Sequence, residues 1–167
     1  MKAISLIGFM GAGKTYIGKK LAEKNGFRFV DVDEEIVKLF GSIPDIFKRE
    51  GELYFRKVES DTFKRLIMED SVISTGGGLP TKNFNVPYLR LTECVFLDVP
   101  FEICYGRISE DTNRPLVMKS DESTLKELYE KRRKIYEKVC DYNVDGSLPE
   151  NEIVDIIEKW YFNRKDV

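Results

Sequence analysis

The sequence predicts an α/β fold: a three-layer arrangement in which a parallel sheet is covered by helices on both faces. Short apolar runs at Ala3–Ile7, Val72–Thr75 and Cys94–Val99 each end in glycine or proline, the pattern of buried parallel strands. Segments of helical periodicity separate them. At 167 residues the chain is long enough for one hydrophobic core and too short for two comfortable domains, so one domain over 1–167 is expected.

Taken in order, Ala3 to Ile7 is the first strand and runs into glycines. Lys14 onward is a helix with Ile17, Leu21 and Ala22 on one face and Gly26 as its stop. Phe29-Val30-Asp31-Val32-Asp33 reads as a second strand, followed by a helix through Ile36, Val37 and Phe40 that Gly41 ends. Ser42 to Met68 is again helical, with a break at Gly51 and apolar Phe55, Val58, Phe63, Leu66 and Ile67 beyond it. Val72–Thr75 is a third strand and Cys94–Val99 a fourth, stopped by Pro100. Phe101 to Ile108 forms a short helix. Ser109 to Asp121 is polar, rich in turn formers and punctuated by Pro115, so it reads as a mobile loop placed where a lid would sit. Leu125 to Val139 is a charged amphipathic helix, Tyr142–Val144 a fifth strand and Glu152 to Tyr161 a closing helix. Asn163 to Val167 is expected to fray.

Composition removes several classes of function. Lys plus Arg number 27 against 29 Asp plus Glu, so no global basic field recruits nucleic acid. No run approaches the roughly 20 apolar residues of a membrane helix, and the apolar stretch at the N-terminus is too short for a signal segment. With no histidine, acid–base work falls to carboxylates, lysine or tyrosine. Cys94, Cys104 and Cys140 are widely spaced and lack a metal-ligand pattern, which suits structural thiols in a reducing, cytoplasmic compartment.

Gly8-Phe9-Met10-Gly11-Ala12-Gly13-Lys14-Thr15 matches G-x-x-x-x-G-K-[ST] between a predicted strand and a predicted helix. In such a loop backbone N–H groups curl around phosphates, the lysine reaches the β and γ oxygens, and the threonine hydroxyl ligates magnesium. Asp31 and Asp33 alternate along the predicted strand and so share a face. One can serve magnesium and the other an acceptor hydroxyl, with Asp33 the best-placed base; the alternative is a pair of acids capping the next helix. Arg56 and Glu59, three apart on a helix, can pair, although such pairs are commonly solvated. Gly76-Gly77-Gly78 either lets a ligand approach the backbone or acts as a bare hinge. Arg107, Arg114, Arg132 and Arg133 cluster late in the chain. Isolated arginines usually serve solubility, but one in the Asn113-Arg114-Pro115 loop can bring positive charge when a site closes.

Together these motifs resemble the shikimate kinase family, within the nucleoside monophosphate kinase-like group of P-loop proteins. The similarity rests on Gly8 to Thr15, Asp31-x-Asp33, Gly51-Glu52-x-x-Phe55-Arg56-x-x-Glu59, the triple glycine, Arg114-Pro115-Leu116 and Arg132-x-x-Ile135-Tyr136, in that order along nearly the whole chain. The resemblance implies a P-loop kinase fold with sheet order 2-3-1-4-5, a substrate-binding segment at about 33–60 and a lid at about 109–121. It implies transfer of the γ-phosphate of ATP to the 3-hydroxyl of shikimate, in the chorismate and aromatic amino acid pathway. Asp33 would be the base and, with Lys14 and Arg114, form the catalytic set. ATP contacts would come from Gly11, Ala12, Gly13, Lys14, Thr15, Tyr16, Arg107 and Arg114, with Arg107 packing on adenine. Shikimate would be held by Asp33, Arg56, Gly76, Gly77, Gly78 and Arg132, with Glu59 orienting Arg56. Mg2+ would sit at Thr15 and Asp31. Arg133 is the alternative carboxylate ligand if the alignment slips by one.

Two departures from that family are visible: Lys134 stands where many relatives have proline, and Val144 to Pro149 lacks an arginine that some carry. Both bear on local helix geometry and adenine contacts. A gluconate or nucleotide kinase would share the P-loop and sheet, but the triple glycine and Phe55-Arg56-x-x-Glu59 argue against it. A nucleotide-binding regulatory module would bind ATP without acceptor-dependent turnover, and the Lys14, Asp33 and Arg114 set argues against that. The expected partners are shikimate and ATP, with no nucleic acid or membrane, and the chain is expected to be a monomer.

Overall fold

A computed structural model describes residues 1–109 and 120–164. Five strands form one parallel sheet: β1 (Ile4–Ile7), β2 (Arg28–Asp31), β3 (Ser71–Ser74), β4 (Glu93–Asp98) and β5 (Tyr142–Asp145), in the order β2-β3-β1-β4-β5. The register sets Leu6 beside both Ser74 and Val95, and Asp31 beside Ser74. The carboxyl ends of β1, β2 and β3 therefore finish at one level. The chain leaves β1 towards β2 and later crosses back to β4, and such a reversal opens a crevice at the strand ends where ligands bind in open α/β sheets.

The layers follow from the alternation of side chains along each strand. Ile4 and Leu6 face α1 (Lys14–Asn25), joining Val72, Val95, Leu97 and Val144 in a core that packs on Ile17, Leu21 and Ala22. That same core holds Ile153, Val154, Ile157 and Tyr161, on the last helix (Glu150–Asn163). On the opposite face Ile7, Val30, Ile73 and Phe96 meet α2 (Val32–Phe40) and α3 (Ile43–Leu66) through Ile36, Phe55, Val58 and Phe63. The α4 turn (Val86–Leu89), α5 (Phe101–Ile108) and α6 (Glu122–Val139) complete this layer with Leu89, Cys104, Ile108, Leu125, Tyr129 and Tyr136. The last helix is α7. Burial of β1 on both faces explains why it reads as a continuous apolar run.

The predicted strands and helices are all present, most of them with shifted ends. Gly26 is left-handed at the end of α1, and the Phe27 amide closes back on the Ala22 carbonyl at 2.9 Å. The break at Gly51 is a kink within α3, where φ is 82° and ψ is 174°. The stretch after the triple glycine forms two short 3-10 turns, Leu79–Thr81 and Asn83–Asn85, that the sequence did not announce. Asn85 anchors them: its buried amide donates to the Leu79 carbonyl at 3.0 Å and accepts from Ser60 of α3 at 2.6 Å. α7 extends through Asn163, so the expected fraying does not begin there. Most of the expected lid at 109–121, including Arg114, lies outside the described residues, as do the last three residues. No helix among the described residues is long and apolar enough to cross a membrane.

Candidate active site

Between β1 and α1 the chain turns through Gly11 (φ 80°) and Gly13 (φ 89°), a left-handed geometry that disfavours side-chain-bearing residues. The loop is closed by the Ala12 amide on the Phe9 carbonyl at 3.1 Å, and it sits tightly on α5. A Cβ on Gly11 would lie 2.7 Å from the Cys104 carbonyl oxygen. Lys14 is buried, and its ammonium donates to the Gly8 and Phe9 carbonyls at 2.9 and 3.0 Å. The loop thus presents the amino end of α1, and Lys14 beside it, to an anion.

Asp31 and Asp33 do not alternate along one strand. β2 ends at Asp31, whose Oδ1 accepts the amides of Asp33 at 3.0 Å and Glu34 at 3.2 Å, so the helix begins at Val32. N-capping outweighed the strand-like pattern of Val30 and Val32. The cap is only half of what Asp31 does: its Oδ2 accepts from the Thr15 hydroxyl at 2.5 Å. One buried carboxylate therefore ties the phosphate loop to the start of α2. Two hard oxygen donors beside a phosphate loop fit magnesium, which takes few protein ligands and completes its shell with water and phosphate oxygens. No cluster of three or more acidic or cysteine side chains among the described residues forms a metal cage by itself.

Gly76, Gly77 and Gly78 are the hub of the second half of the site. A Cβ on Gly76 would lie 2.6 Å from Glu59 Oε1 and 3.2 Å from Asp33 Oδ1; one on Gly77, 3.4 Å from Arg132 Nη1; one on Gly78 would run into the Arg56 guanidinium. The glycines leave room for functional side chains arriving from α2, α3 and α6. Their φ values are not among the positive ones, so clearance rather than backbone freedom explains them.

Arg56 and Glu59 form a buried pair, contrary to the usual solvated fate of i,i+3 partners, with Nη1 donating to Oε2 at 2.8 Å. Glu59 is 1% exposed and Arg56 7%. Burial works against the guanidinium charge, but Glu59 and Glu52 more than offset it and leave the Arg56 pKa above its ordinary value. Burial also pushes the Glu59 carboxyl up, opposed by Arg56 and Arg132 and reinforced by Asp33. Arg132 is 8% exposed, and Tyr136 beside it donates to the Gly77 carbonyl at 2.6 Å. Two buried guanidiniums and two carboxylates therefore converge on one loop, an arrangement suited to a small anionic, hydroxylated ligand.

Arg133 goes elsewhere. It forms a fork on Asp98, Nε to Oδ1 at 3.0 Å and Nη2 to Oδ2 at 2.6 Å, and pairs with Glu137, so of the adjacent arginines Arg132 alone faces the glycine loop. Arg107 donates to the Gly11 carbonyl at 2.9 Å and lines a cleft of about 310 Å³ with Ala12, Gly13, Tyr16 and Leu148. Sequence reasoning missed Asp98, which is 35 positions from its partner, and Glu150, which lines the same cleft.

A phosphate loop opening on one side to a nucleoside-sized cleft, and on the other to an arginine–carboxylate pocket, defines a P-loop kinase of small molecules. Residues 10–161 match the family model described as shikimate kinase. The chain is 47% identical over 139 residues to shikimate kinase of Persephonella marina, covering 81% of this chain and 84% of that one. With the enzyme of Aquifex aeolicus the identity is 44% over 154 residues, 90% of each. A shikimate kinase structure from Acinetobacter baumannii in complex with shikimate superimposes with a TM-score of 0.93 at 34% identity, covering 99% of this chain and 95% of that one. The chain belongs to the shikimate kinase family and is an ATP-dependent kinase with a small-molecule alcohol as acceptor.

Proposed function

We propose that the chain transfers the γ-phosphoryl group of ATP to the 3-hydroxyl of shikimate through the residues converging on Gly76 to Gly78, giving shikimate 3-phosphate on the route to chorismate and the aromatic amino acids. The observation that carries this is the buried Arg56–Glu59 pair with Arg132 and Asp33 around that loop. Arg56 and Arg132 would grip the acceptor carboxylate, since a planar guanidinium matches a carboxylate in two-point contact. Glu59 would hold Arg56 in that orientation before the acceptor arrives. The Gly76 to Gly78 backbone lets the ring approach closely. Asp33 would accept the hydrogen bond of the 3-hydroxyl and take its proton as the oxygen attacks phosphorus.

On the donor side, Gly11, Ala12, Gly13, Lys14, Thr15 and Tyr16 would hold ATP, with Lys14 and the loop amides meeting the charge on the transferring group. Thr15 and Asp31 would hold Mg2+, which when bound neutralises charge on the β- and γ-phosphates. Arg107 would flank the adenine. Arg114, outside the described residues, is assigned on sequence grounds to the transferring phosphoryl group. The acceptor segment would span about 33–60 within a single domain; the lid expected at 109–121 lies mostly outside the described residues. The working unit in this reading is a monomer, and its three free cysteines suit a cytoplasmic setting.

The test is acceptor choice. ATP consumption measured side by side with shikimate, gluconate and nucleoside monophosphates should appear with shikimate alone. Turnover only with a different acceptor would sink the assignment.

A further inference from the structure

The cleft beside the phosphate loop contains a polar cluster that the reaction chemistry does not use. Tyr16 stands on the first turn of α1, immediately after Thr15, and its hydroxyl donates to Glu150 Oε2 at 2.8 Å. Lys20, one turn further along α1, donates to that same oxygen at 2.8 Å and lies 4.9 Å from the centroid of the Tyr16 ring. Glu150 is the first residue of α7, where the helix dipole favours an anion. Lys20 and then Tyr16 hold its carboxyl below the ordinary range.

The cleft is lined by Ala12 and Gly13 of the loop together with Tyr16, Arg107, Leu148 and Glu150. With phosphates held by the loop, the ribose and base, the next groups along ATP, would extend into this adjoining space. Tyr16, half exposed, is part of its wall next to the loop in sequence. Glu150 fastens the hydroxyl end of that ring and Lys20 covers a ring face, so the wall is set before the nucleotide arrives. A preset wall spares the complex the cost of ordering a side chain on binding.

The same face of α1 carries the ladder onward. Lys20 also reaches Asn151 at 3.4 Å, and Lys24 pairs with Asp155 at 2.8 Å and with Glu158. These further contacts join α1 to α7 but lie away from the cleft, so they separate a general role in packing from a role at the nucleotide.

We propose that Glu150 is a positioning residue for the nucleotide: by holding Tyr16 with the help of Lys20, it builds the cleft wall that contacts the nucleoside part of ATP. The inference rests on assigning ATP to the phosphate loop. Steady-state kinetics and direct ATP binding are measured on Glu150→Ala, Glu150→Gln, Tyr16→Phe, the Glu150→Ala/Tyr16→Phe pair, Lys24→Ala and Lys14→Ala. Glu150→Ala and Tyr16→Phe should each raise the KM for ATP about three- to fivefold, the scale that exposed polar contacts carry, while kcat and the KM for shikimate stay unchanged. The double variant should be no worse than Glu150→Ala alone, because that change already removes the Tyr16 contact. Glu150→Gln, which can still accept from Tyr16, should recover part of the loss, and Lys24→Ala should leave the KM for ATP unchanged. An ATP KM at the wild-type level in Glu150→Ala, additive losses in the double variant, or an equal rise in Lys24→Ala would overturn the inference. Lys14→Ala separates the two levels: undiminished ATP binding there would instead remove the phosphate-loop assignment.

Discussion

Replacing Arg56 by alanine tests the acceptor pocket through stability as well as kinetics. The substitution leaves Glu59, 1% exposed, without the guanidinium now 2.8 Å away. Removing one partner of a buried pair costs about 3–5 kcal/mol, because the remaining charge lacks water and keeps only Arg132, a smaller influence than Arg56, as counterion. For a chain of this size each kcal/mol moves the melting temperature by about 2–4 °C, so a fall of about 6–20 °C is expected at pH 8. The pH dependence has a definite sign. Glu59 is already raised by burial, and losing Arg56 removes a contribution that lowers it, so the folded-state pKa in the variant rises further above the unfolded value. A group raised in this way favours folding below the unfolded pKa, and that contribution is lost as pH rises through the folded pKa. The deficit of the variant should therefore shrink as pH falls from 8 towards 5. Thermal unfolding followed by circular dichroism across that range reads the effect, and Arg56→Ala/Glu59→Gln should melt higher than Arg56→Ala alone. A melting temperature within about 2 °C of the wild type at pH 8, or a deficit that grows on acidification, would refute the buried-pair account. In kinetics the KM for shikimate should rise at least about tenfold with the KM for ATP little changed, as expected for losing a charged hydrogen bond to the acceptor.

Asp33→Asn should lower kcat by about 10²- to 10⁴-fold, the usual contribution of a general base, with ATP affinity measured by equilibrium binding nearly intact; near-normal turnover would remove Asp33 as the base. Gly78→Ala places a methyl group against the Arg56 guanidinium, so the KM for shikimate should rise while ATP binding is preserved, checked by kinetics on both substrates. Burial pushes the Cys94 thiol up to about 12 and the Cys104 thiol to about 11. Both should resist iodoacetamide at pH 8 in the folded protein and react after unfolding, as followed by intact-mass spectrometry.

Much of the fold was legible because its elements announce themselves in different ways. β1, β3 and β4 are apolar runs bounded by glycine or proline, and Pro100 marks the start of α5 so sharply that Phe101–Ile108 coincides with the expected helix. The phosphate loop was equally plain, since motif and context agreed. Asp33 was misplaced by one element because Val30 and Val32 flank Asp31 in a strand-like alternation, whereas the capping bonds that start the helix at Val32 involve backbone amides invisible to a pattern. The i,i+3 spacing of Arg56 and Glu59 told of their pairing but not of their burial, which depends on Gly76 and Gly78 arriving from the far end of β3. Helical spacing puts Arg132 on the buried stripe of Leu125, Tyr129 and Tyr136, and Asp98, on β4, holds Arg133 away from the site. The 3-10 turns after the glycines carry no period to detect, and Glu150 joins the cleft only because α1 and α7 lie side by side.

The triple glycine also limits how this pocket could change. Each position abuts a side chain from a packed helix, α3 at 76 and 78, α2 also at 76 and α6 at 77, so the admissible residues at 76, 77 and 78 are conditional on Glu59 and Asp33, Arg132 and Arg56 respectively. A single substitution in the loop meets an arginine or a carboxylate already in place, and a single shortening of Arg56 leaves Glu59 stranded. Redirecting the enzyme to a bulkier or uncharged acceptor therefore requires paired changes across α3 and the loop. A library that varies 56 and 59 together with 78 should reach new acceptors that scans of individual positions do not.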